Sequence, residues 1–380
     1  MHEPPLNPVL ERLGSYPMSG FDELKRKLAA EGKPIYDFGI GDPVEETPSF
    51  IREALLAAVD RRSQYPTVVG QRTLREAAAG YVSRRFGVSV DPETELLPSA
   101  GSKEAIFHLP FALLDASSER NVVVMPDPGY PVYEHGTAFA GGVSHKVPLR
   151  AERRFLLEPD DVGDEVLART AVFWISYPHN PTGAVADRSY FERVYAAAEK
   201  HGFVVASDEC YVDLYFGAPP PSILQISKRG TLAFFSCSKR SGMTGYRTGF
   251  MAGDARIIAA LRKMRPSIGT ASPDFVQHAA AAAWSDDAHA VERRRVFAAK
   301  RERLLSFFET RGIEAGWSEG TFYVWARVSS GYTSESYAQA LMSRGIVVSP
   351  GTFFGAGEGF VRIALVPSLD AIGEAISKWP

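Results

Sequence analysis

The chain has 380 residues, of which 45% are hydrophobic and 23% are charged, and its formal net charge is −3. This composition is ordinary for a globular protein and gives no reason to expect a nucleic-acid partner or an anionic membrane surface. No stretch approaches the roughly 18 consecutive apolar residues of a membrane-spanning helix, so no membrane association is expected.

The N-terminus and the cysteine content indicate the compartment. The first residues lack a basic region followed by an apolar one, so no secretory signal is predicted. The two cysteines, Cys210 and Cys237, argue against a disulfide framework. We therefore expect a cytoplasmic protein. The eight histidines show no metal-ligand spacing, and no metal site is expected.

The first 90 residues read as an arm followed by helices. Residues 1–18 are rich in proline, and Ser19 is a candidate N-cap for a helix that ends at Gly32. Ile35–Ile40 predicts a short strand, which leads into a turn at Gly41-Asp42-Pro43. Pro48 opens an amphipathic helix, and a further helix from Leu74 to Tyr81 follows the loop at residues 65–70.

The middle of the chain alternates short apolar strands with helices. Strands that are apolar throughout are typical of parallel sheets buried on both faces. Residues 95–255 therefore predict an α/β fold, a mostly parallel sheet with helices on both sides. The predicted strands are Val122–Met125, Val172–Ile175, Phe203–Ala206, Leu232–Phe235 and Gly249–Ala252.

The C-terminal part predicts a smaller α+β domain. A helical stretch runs from Asp254 to about Arg311, with breaks near Pro266 and Pro273. Three strands are then predicted at Thr321–Ala326, Ile346–Val348 and Phe360–Leu365. We predict an N-terminal arm with part of the small domain (1–45), a large domain (46–285) and a small C-terminal domain (286–380).

Lys239 is the most informative residue, because it follows the apolar strand Leu232–Phe235 directly. A lysine at the edge of a buried strand is unfavourable unless its charge is used or neutralised. Burial lowers the pKa of the amine and frees it to attack carbonyl groups. This pattern indicates a cofactor that forms an imine.

Other polar residues follow the neighbouring strands, and ligands in open α/β sheets bind beyond the carboxyl ends of the strands. Together they offer an anion site, a stacking ring, an amide, a carboxylate, a lysine and an arginine, which is the set that pyridoxal phosphate requires. The residues in question are Gly101, Ser102 and Lys103 at a helix start, Tyr130, Asn180, Asp208, and Arg247.

The sequence at this point resembles the fold-type I pyridoxal-phosphate enzymes, specifically the class I aminotransferases related to aspartate aminotransferase. Four stretches match in the family's order: Tyr177–Gly183, Ser207–Tyr211, Ser236–Gly249 and Phe360–Leu365. The resemblance covers nearly the whole chain, and four separate motifs agree.

The resemblance implies a role for each matching residue. Lys239 would form the aldimine with the cofactor and carry the 1,3-proton shift, and Asp208 would pair with the pyridinium nitrogen. Asn180 and Tyr211 would bind the ring hydroxyl, and Tyr130 would stack on the ring. The remaining cofactor ligands would be Gly101, Ser102, Lys103, Ser236, Ser238 and Arg247, with Tyr65 reaching the phosphate of the partner subunit in a homodimer with shared active sites. The substrate would be held by Gly41, Lys103, Asn180 and Arg362.

The substrate is a finer prediction. Gly101–Ile106, Gln277–Trp284 and the segment from Ser238 resemble the N-succinyldiaminopimelate aminotransferases of bacterial lysine synthesis, which use glutamate as amino donor. Lys103 is the candidate for binding a distal carboxylate, and a surface lysine at a helix start is the competing interpretation. Aspartate, alanine and LL-diaminopimelate remain alternative substrates.

Two other functional classes stay open. A pyridoxal-phosphate lyase of the β-eliminating, C–S bond-cleaving kind would share Lys239, Asp208 and Arg362, so the fold alone does not exclude it. A regulatory module with a silent site is the second alternative. The intact lysine and the ordinary charge weigh against it.

Overall fold

The structure is a computed structural model, which describes residues 4–12, 26, 30, 32–62, 64–268 and 271–380. The helix predicted from Ser19 to Gly32 lies largely outside the described residues. No helix among the described residues is long and apolar enough to span a membrane.

The strands occur in two groups along the chain, a central set between residues 96 and 253 and a smaller set near the two ends. In chain order they are β1 (Tyr36–Asp37), β2 (Leu96–Ser99), β3 (Val122–Asp127), β4 (Val143–Pro148), β5 (Thr170–Ser176), β6 (Val204–Asp208), β7 (Thr231–Ser236), β8 (Gly249–Gly253), β9 (Tyr323–Arg327), β10 (Ile346–Val347), β11 (Ser349–Pro350) and β12 (Phe360–Ala364).

The α-helices separate most of these strands. In chain order within the described residues they are α1 (Val9–Arg12), α2 (Ser49–Ala57), α3 (Arg72–Phe86), α4 (Ser102–Leu113), α5 (Val132–Phe139), α6 (Asp164–Arg169), α7 (Arg188–His201), α8 (Cys237–Arg240), α9 (Ala255–Met264), α10 (Asp274–Ser285), α11 (Ala288–Arg311), α12 (Ser334–Met342) and α13 (Leu369–Lys378).

Within the described residues the central set forms one seven-stranded sheet, in the order β2-β8-β7-β6-β5-β3-β4. The five strands from β7 to β4 pair in parallel, whereas β8 runs antiparallel to both β7 and β2. The predicted α/β fold with a mostly parallel sheet is therefore confirmed.

Both faces of this sheet are buried, as the apolar strands predict. Successive residues of one strand enter different hydrophobic clusters: Phe173 and Ile175 pack on one face, and Val172 and Trp174 on the other. All four side chains are fully buried. A buried side chain of this kind stabilises the fold by about 1.5–3 kcal/mol, which fixes the register of the strand.

The strands near the two ends of the described chain form two small sheets. β1 pairs in parallel with β10, and β12 lies between β11 and β9 in an antiparallel sheet. A separate hydrophobic cluster forms around them and includes Phe297 of α11 and Phe322. The domain boundaries given above stay a prediction.

Two of the differences from the sequence-based assignment have a clear physical reason. Strand β4 was not predicted, because it is an edge strand whose polar and apolar residues are mixed and only Val147 is buried. The helical stretch 254–311 has a further break between α10 and α11, where Asp286 is extended and its Oδ1 accepts the N–H of His289 at 2.9 Å.

Candidate active site

The carboxyl ends of the parallel strands bring the polar residues together. In the register of the sheet Ser176 of β5 is opposite Asp208 of β6, and Ser236 of β7 is opposite Gly249 of β8. The segments that carry Asn180, Lys239 and Arg247 therefore adjoin the sheet at the same edge. This is the edge at which open α/β sheets bind ligands.

Lys239 lies in the short helix α8, whose N-cap Ser236 accepts the N–H of Ser238. Its Nζ donates to the carbonyl of Gly41 at 2.6 Å and lies 5.1 Å from the centre of the Phe322 ring. Burial lowers the pKa of the Lys239 amine, and the nearby charge of Arg362 acts in the same direction. The neutral amine is the form that acts as nucleophile and base.

Asp208 ends β6 and is buried, with 7% of its surface exposed. Its Oδ2 accepts the hydroxyl of Tyr133 at 2.8 Å and its Oδ1 accepts the N–H of Cys210 at 3.2 Å. Burial raises the pKa of this carboxyl. No ion pair with a cationic side chain of the described residues offsets that burial, so the carboxylate favours a protonated or cationic ligand group.

Two hydrogen bonds and two aromatic rings hold the guanidinium of Arg362. Its two terminal nitrogens donate to Asn180 Oδ1 at 3.0 Å and to the carbonyl of Gly39 at 2.9 Å. The rings of Tyr323 and Phe354 both pack on its guanidinium, with their centres 4.2 and 4.4 Å from Cζ. A guanidinium fixed in this way suits a planar carboxylate, because the position of its donors is set before binding.

An anion site is formed where α4, α8 and the loop before β8 meet. Gly101 is the N-cap of α4, with φ +79° and ψ 159°, and a Cβ there would lie 2.5 Å from Nη2 of Arg247. Nη1 of Arg247 donates to the carbonyl of Thr244 at 2.9 Å and reaches Ser238 Oγ at 3.5 Å. The free N–H groups of the first turn of α4 and the guanidinium together suit a phosphate.

Tyr130 and Lys103 are neighbours at this edge. The Nζ of Lys103 lies 5.9 Å from the centre of the Tyr130 ring. The Tyr130 ring packs edge-on against Tyr133, the residue that binds Asp208. Tyr65 is different, because it is fully exposed and makes no hydrogen bond to the described residues.

Three residues at the site were not predicted from the sequence. Tyr323 hydrogen-bonds Tyr211, hydroxyl to hydroxyl, at 3.1 Å and packs on Arg362. Phe354 also packs on the guanidinium of Arg362, and Tyr133 donates to Asp208. In the sequence Tyr323 was only one residue of the predicted strand Thr321–Ala326. The alternation of side chains along that strand was the one available signal, and it did not show which face of the strand meets the site.

The arrangement suits pyridoxal phosphate. The cofactor's ring nitrogen requires a carboxylate, and the buried Asp208 has no cationic partner among the described residues. Its aldehyde requires an amine, which the buried Lys239 supplies. Its phosphate requires an anion site, which a Cβ at Gly101 would obstruct. Among the described residues, no group of three or more His, Cys, Asp or Glu side chains is arranged to hold a metal ion.

Comparisons with known proteins agree with this geometry. The family model described as aminotransferase class I and II matches residues 33–378. The chain is 37% identical to LL-diaminopimelate aminotransferase of Nitratidesulfovibrio vulgaris and 38% identical to LL-diaminopimelate aminotransferase 2 of a Nostoc species, in each case over 97% of both chains. The structure of a double mutant of Thermus thermophilus aspartate aminotransferase superposes with a TM-score of 0.92, at 27% identity and with 99% of each chain covered.

The match to the family model extends over both groups of strands and over all the residues of the anion site, the buried amine and the fixed arginine. It confirms the resemblance that the four motifs carried. The chain belongs to the class I and II aminotransferases of the aspartate aminotransferase-like fold, which are pyridoxal-phosphate-dependent enzymes.

Proposed function

We propose that this aminotransferase exchanges the amino group of LL-diaminopimelate with 2-oxoglutarate. The observation that carries the proposal is the 37–38% identity, over 97% of both chains, to relatives named LL-diaminopimelate aminotransferase. The N-succinyl substrate expected from three short stretches has no support from these relatives. We therefore prefer the unacylated substrate and keep the acylated one as an arm of the test.

The geometry supports a set of contacts between this chain and the cofactor. Its phosphate would lie at the first turn of α4, against Arg247 and the hydroxyls of Ser236 and Ser238. Asp208 would face the ring nitrogen, whose positive charge would relieve the burial of the carboxylate. Asn180 and Tyr211 would hold the ring hydroxyl and Tyr130 one face of the ring. When bound, pyridoxal phosphate supplies an aldehyde for the amino group and a ring that withdraws electrons from the substrate α-carbon.

The protein's own groups then perform the positioning and the proton transfer. Arg362 would bind the α-carboxylate and so set the α-carbon toward Lys239. The lowered pKa of the Lys239 amine favours a base that would take the proton from the substrate α-carbon and deliver it to the carbon of the cofactor's aldehyde group. The carbonyl of Gly41 accepts a hydrogen bond from this amine at 2.6 Å.

Lys103 is our candidate for the distal carboxylate of diaminopimelate. Its Nζ lies beside the Tyr130 ring and forms no ion pair with the described residues. A lysine ammonium on a flexible stem can reach distal carboxylates at different distances. This property is needed because 2-oxoglutarate and diaminopimelate differ in length and must share one site.

We also propose that the enzyme acts as a homodimer with shared active sites. Tyr65 is fully exposed in the single chain, and Leu56 and Val59 nearby in sequence are more than half exposed. Exposed apolar side chains of this kind favour burial against another protein surface. Tyr65 would then reach the phosphate in the partner's site.

The test is a substrate panel with the purified holoenzyme. LL-diaminopimelate, N-succinyl-LL-diaminopimelate, acetylornithine, aspartate and alanine are each offered with 2-oxoglutarate, and glutamate formation is measured. We expect the highest kcat/KM for LL-diaminopimelate. A higher value for the N-succinyl compound would overturn the substrate assignment. Release of pyruvate and ammonia from cystathionine without any oxo acid would instead identify a lyase.

The role of Lys103 has its own control. Lys103→Met should lower kcat/KM for LL-diaminopimelate by about 10-fold or more and leave the value for alanine nearly unchanged, because alanine has no distal carboxylate. Lys263→Met removes an exposed lysine of α9 and should change neither value. Equal losses for both substrates in Lys103→Met would assign Lys103 to the cofactor instead.

A further inference from the structure

Tyr323 contacts three of the residues to which the reaction has been assigned. It lies in β9, opposite Ala364 of β12, and is buried. Its hydroxyl is 3.1 Å from that of Tyr211, and its ring lies 4.2 Å from the guanidinium of Arg362. A Cβ at Gly41 would overlap the Tyr323 hydroxyl, so the segment that binds the Lys239 amine packs directly on this phenol.

The charges around the two phenols favour one direction for the hydrogen bond between them. Burial raises the pKa of Tyr211. Burial also acts to raise the pKa of Tyr323, but the charges of Arg362 and Lys239, together with the hydrogen bond to Tyr211, outweigh it and lower this pKa. The oxygen positions fit either direction, and the more acidic hydroxyl is the better donor, so these charges favour Tyr323 as donor and Tyr211 as acceptor. Tyr211 then retains its own proton for another acceptor.

We propose that Tyr323 is a positioning residue of the transamination site with two roles. Its hydroxyl donates to Tyr211, so that Tyr211 donates to the cofactor's ring hydroxyl. Its ring holds Arg362 in place. The inference rests on the proposed role of Tyr211. An accepted hydrogen bond polarises a hydroxyl and strengthens the bond that it donates. Tyr323 thus connects the group that binds the substrate carboxylate to the group that tunes the cofactor.

The hydroxyl is tested by the pH dependence of the holoenzyme's visible absorption, which reports protonation at the cofactor. The charged and titratable groups that face Lys239 are Tyr323, Arg362, Asp42 and Cys210. Of these four, the variants below change only Tyr323. Tyr323→Phe should raise the midpoint by roughly half a pH unit, since a weaker bond from Tyr211 stabilises the deprotonated form less. Tyr211→Phe should raise it further, and the double variant should equal Tyr211→Phe alone.

A matched control removes another buried phenol. Tyr337 of α12 accepts a hydrogen bond from Trp379 Nε1 at 3.1 Å, and Tyr337→Phe should leave the midpoint unchanged. If Tyr211→Phe shifts the midpoint but Tyr323→Phe does not, or if their shifts add in the double variant, the inference is wrong while the proposed role of Tyr211 stands. If Tyr211→Phe causes no shift, both are wrong.

The ring is tested separately by comparing Phe and Leu at position 323. Tyr323→Phe keeps the contact with Arg362 and should leave KM nearly unchanged. Tyr323→Leu removes it and should raise KM by about 3- to 10-fold for every amino acid substrate, because Arg362 is held less firmly. The same KM in both variants would show that the ring does not position Arg362.

Discussion

Gly101 offers a test of the anion site, because one added methyl group has two separable effects there. Gly101 has φ +79° and ψ 159°, a conformation that side chains other than glycine rarely adopt. A Cβ would also lie 2.5 Å from Nη2 and 3.1 Å from Cζ of Arg247. Gly101→Ala should therefore strain the backbone and displace the guanidinium from the start of α4.

Gly163 is a matched control for the backbone effect alone. It is the N-cap of α6 with φ +82° and ψ 143°, and a Cβ there would meet open space. Both alanine variants should lose about 1–3 kcal/mol of unfolding free energy through strain. Only Gly101→Ala should weaken cofactor binding. Loss of one charge-assisted contact to the phosphate should cost about 1.5–3 kcal/mol of binding free energy, which corresponds to about a 10- to 150-fold rise in the Kd for pyridoxal phosphate.

Two measurements separate these effects. Urea unfolding of the apoenzyme gives the stability loss, and titration of the apoenzyme with pyridoxal phosphate gives Kd. In an Arg247→Ala background, Gly101→Ala should add little to Kd, because the displaced group is already absent. A Kd for Gly101→Ala within twofold of the wild-type and Gly163→Ala values would refute the contact with Arg247 as part of the cofactor site.

Three further predictions concern the reacting groups. Asp208→Asn should lower kcat by about 10²- to 10³-fold, because the charge facing the ring nitrogen is lost, and should leave the circular dichroism spectrum unchanged. Tyr133→Phe removes one donor to Asp208 and should lower kcat far less. Lys239→Arg keeps a positive charge but no imine-forming amine, so dialysis should remove the cofactor and turnover should fall to background; retained turnover would exclude Lys239 as the reacting lysine. The rate at which apoenzyme combines with pyridoxal phosphate should fall as pH drops through the lowered pKa of Lys239, and Arg362→Gln should move this fall to higher pH, because the Arg362 charge lowers that pKa. A fall at the same or lower pH in Arg362→Gln would contradict the electrostatic coupling.

The central fold and the family could be predicted from local patterns alone. Strands such as Val172–Ile175 are apolar at every position, which indicates a sheet buried on both faces, and the motif at each strand end follows directly along the chain. Parallel pairing then brings the ends of β5, β6 and β7 to one edge. For this reason the sequence alone was enough to assign Asn180, Asp208 and Lys239 to one site. Their individual roles stay predictions.

The contacts that complete the site join segments distant in sequence. Lys239 meets Gly41 across 198 positions, Arg362 meets Asn180 across 182, and Tyr323 meets Tyr211 across 112. No local pattern encodes such a pairing, because it depends on how the small sheets pack against the strand ends of the large one. Local chemistry thus indicated an imine-forming lysine and an anion site, whereas tertiary packing alone placed Tyr323 and Phe354 around Arg362 and set the direction in which that arginine points.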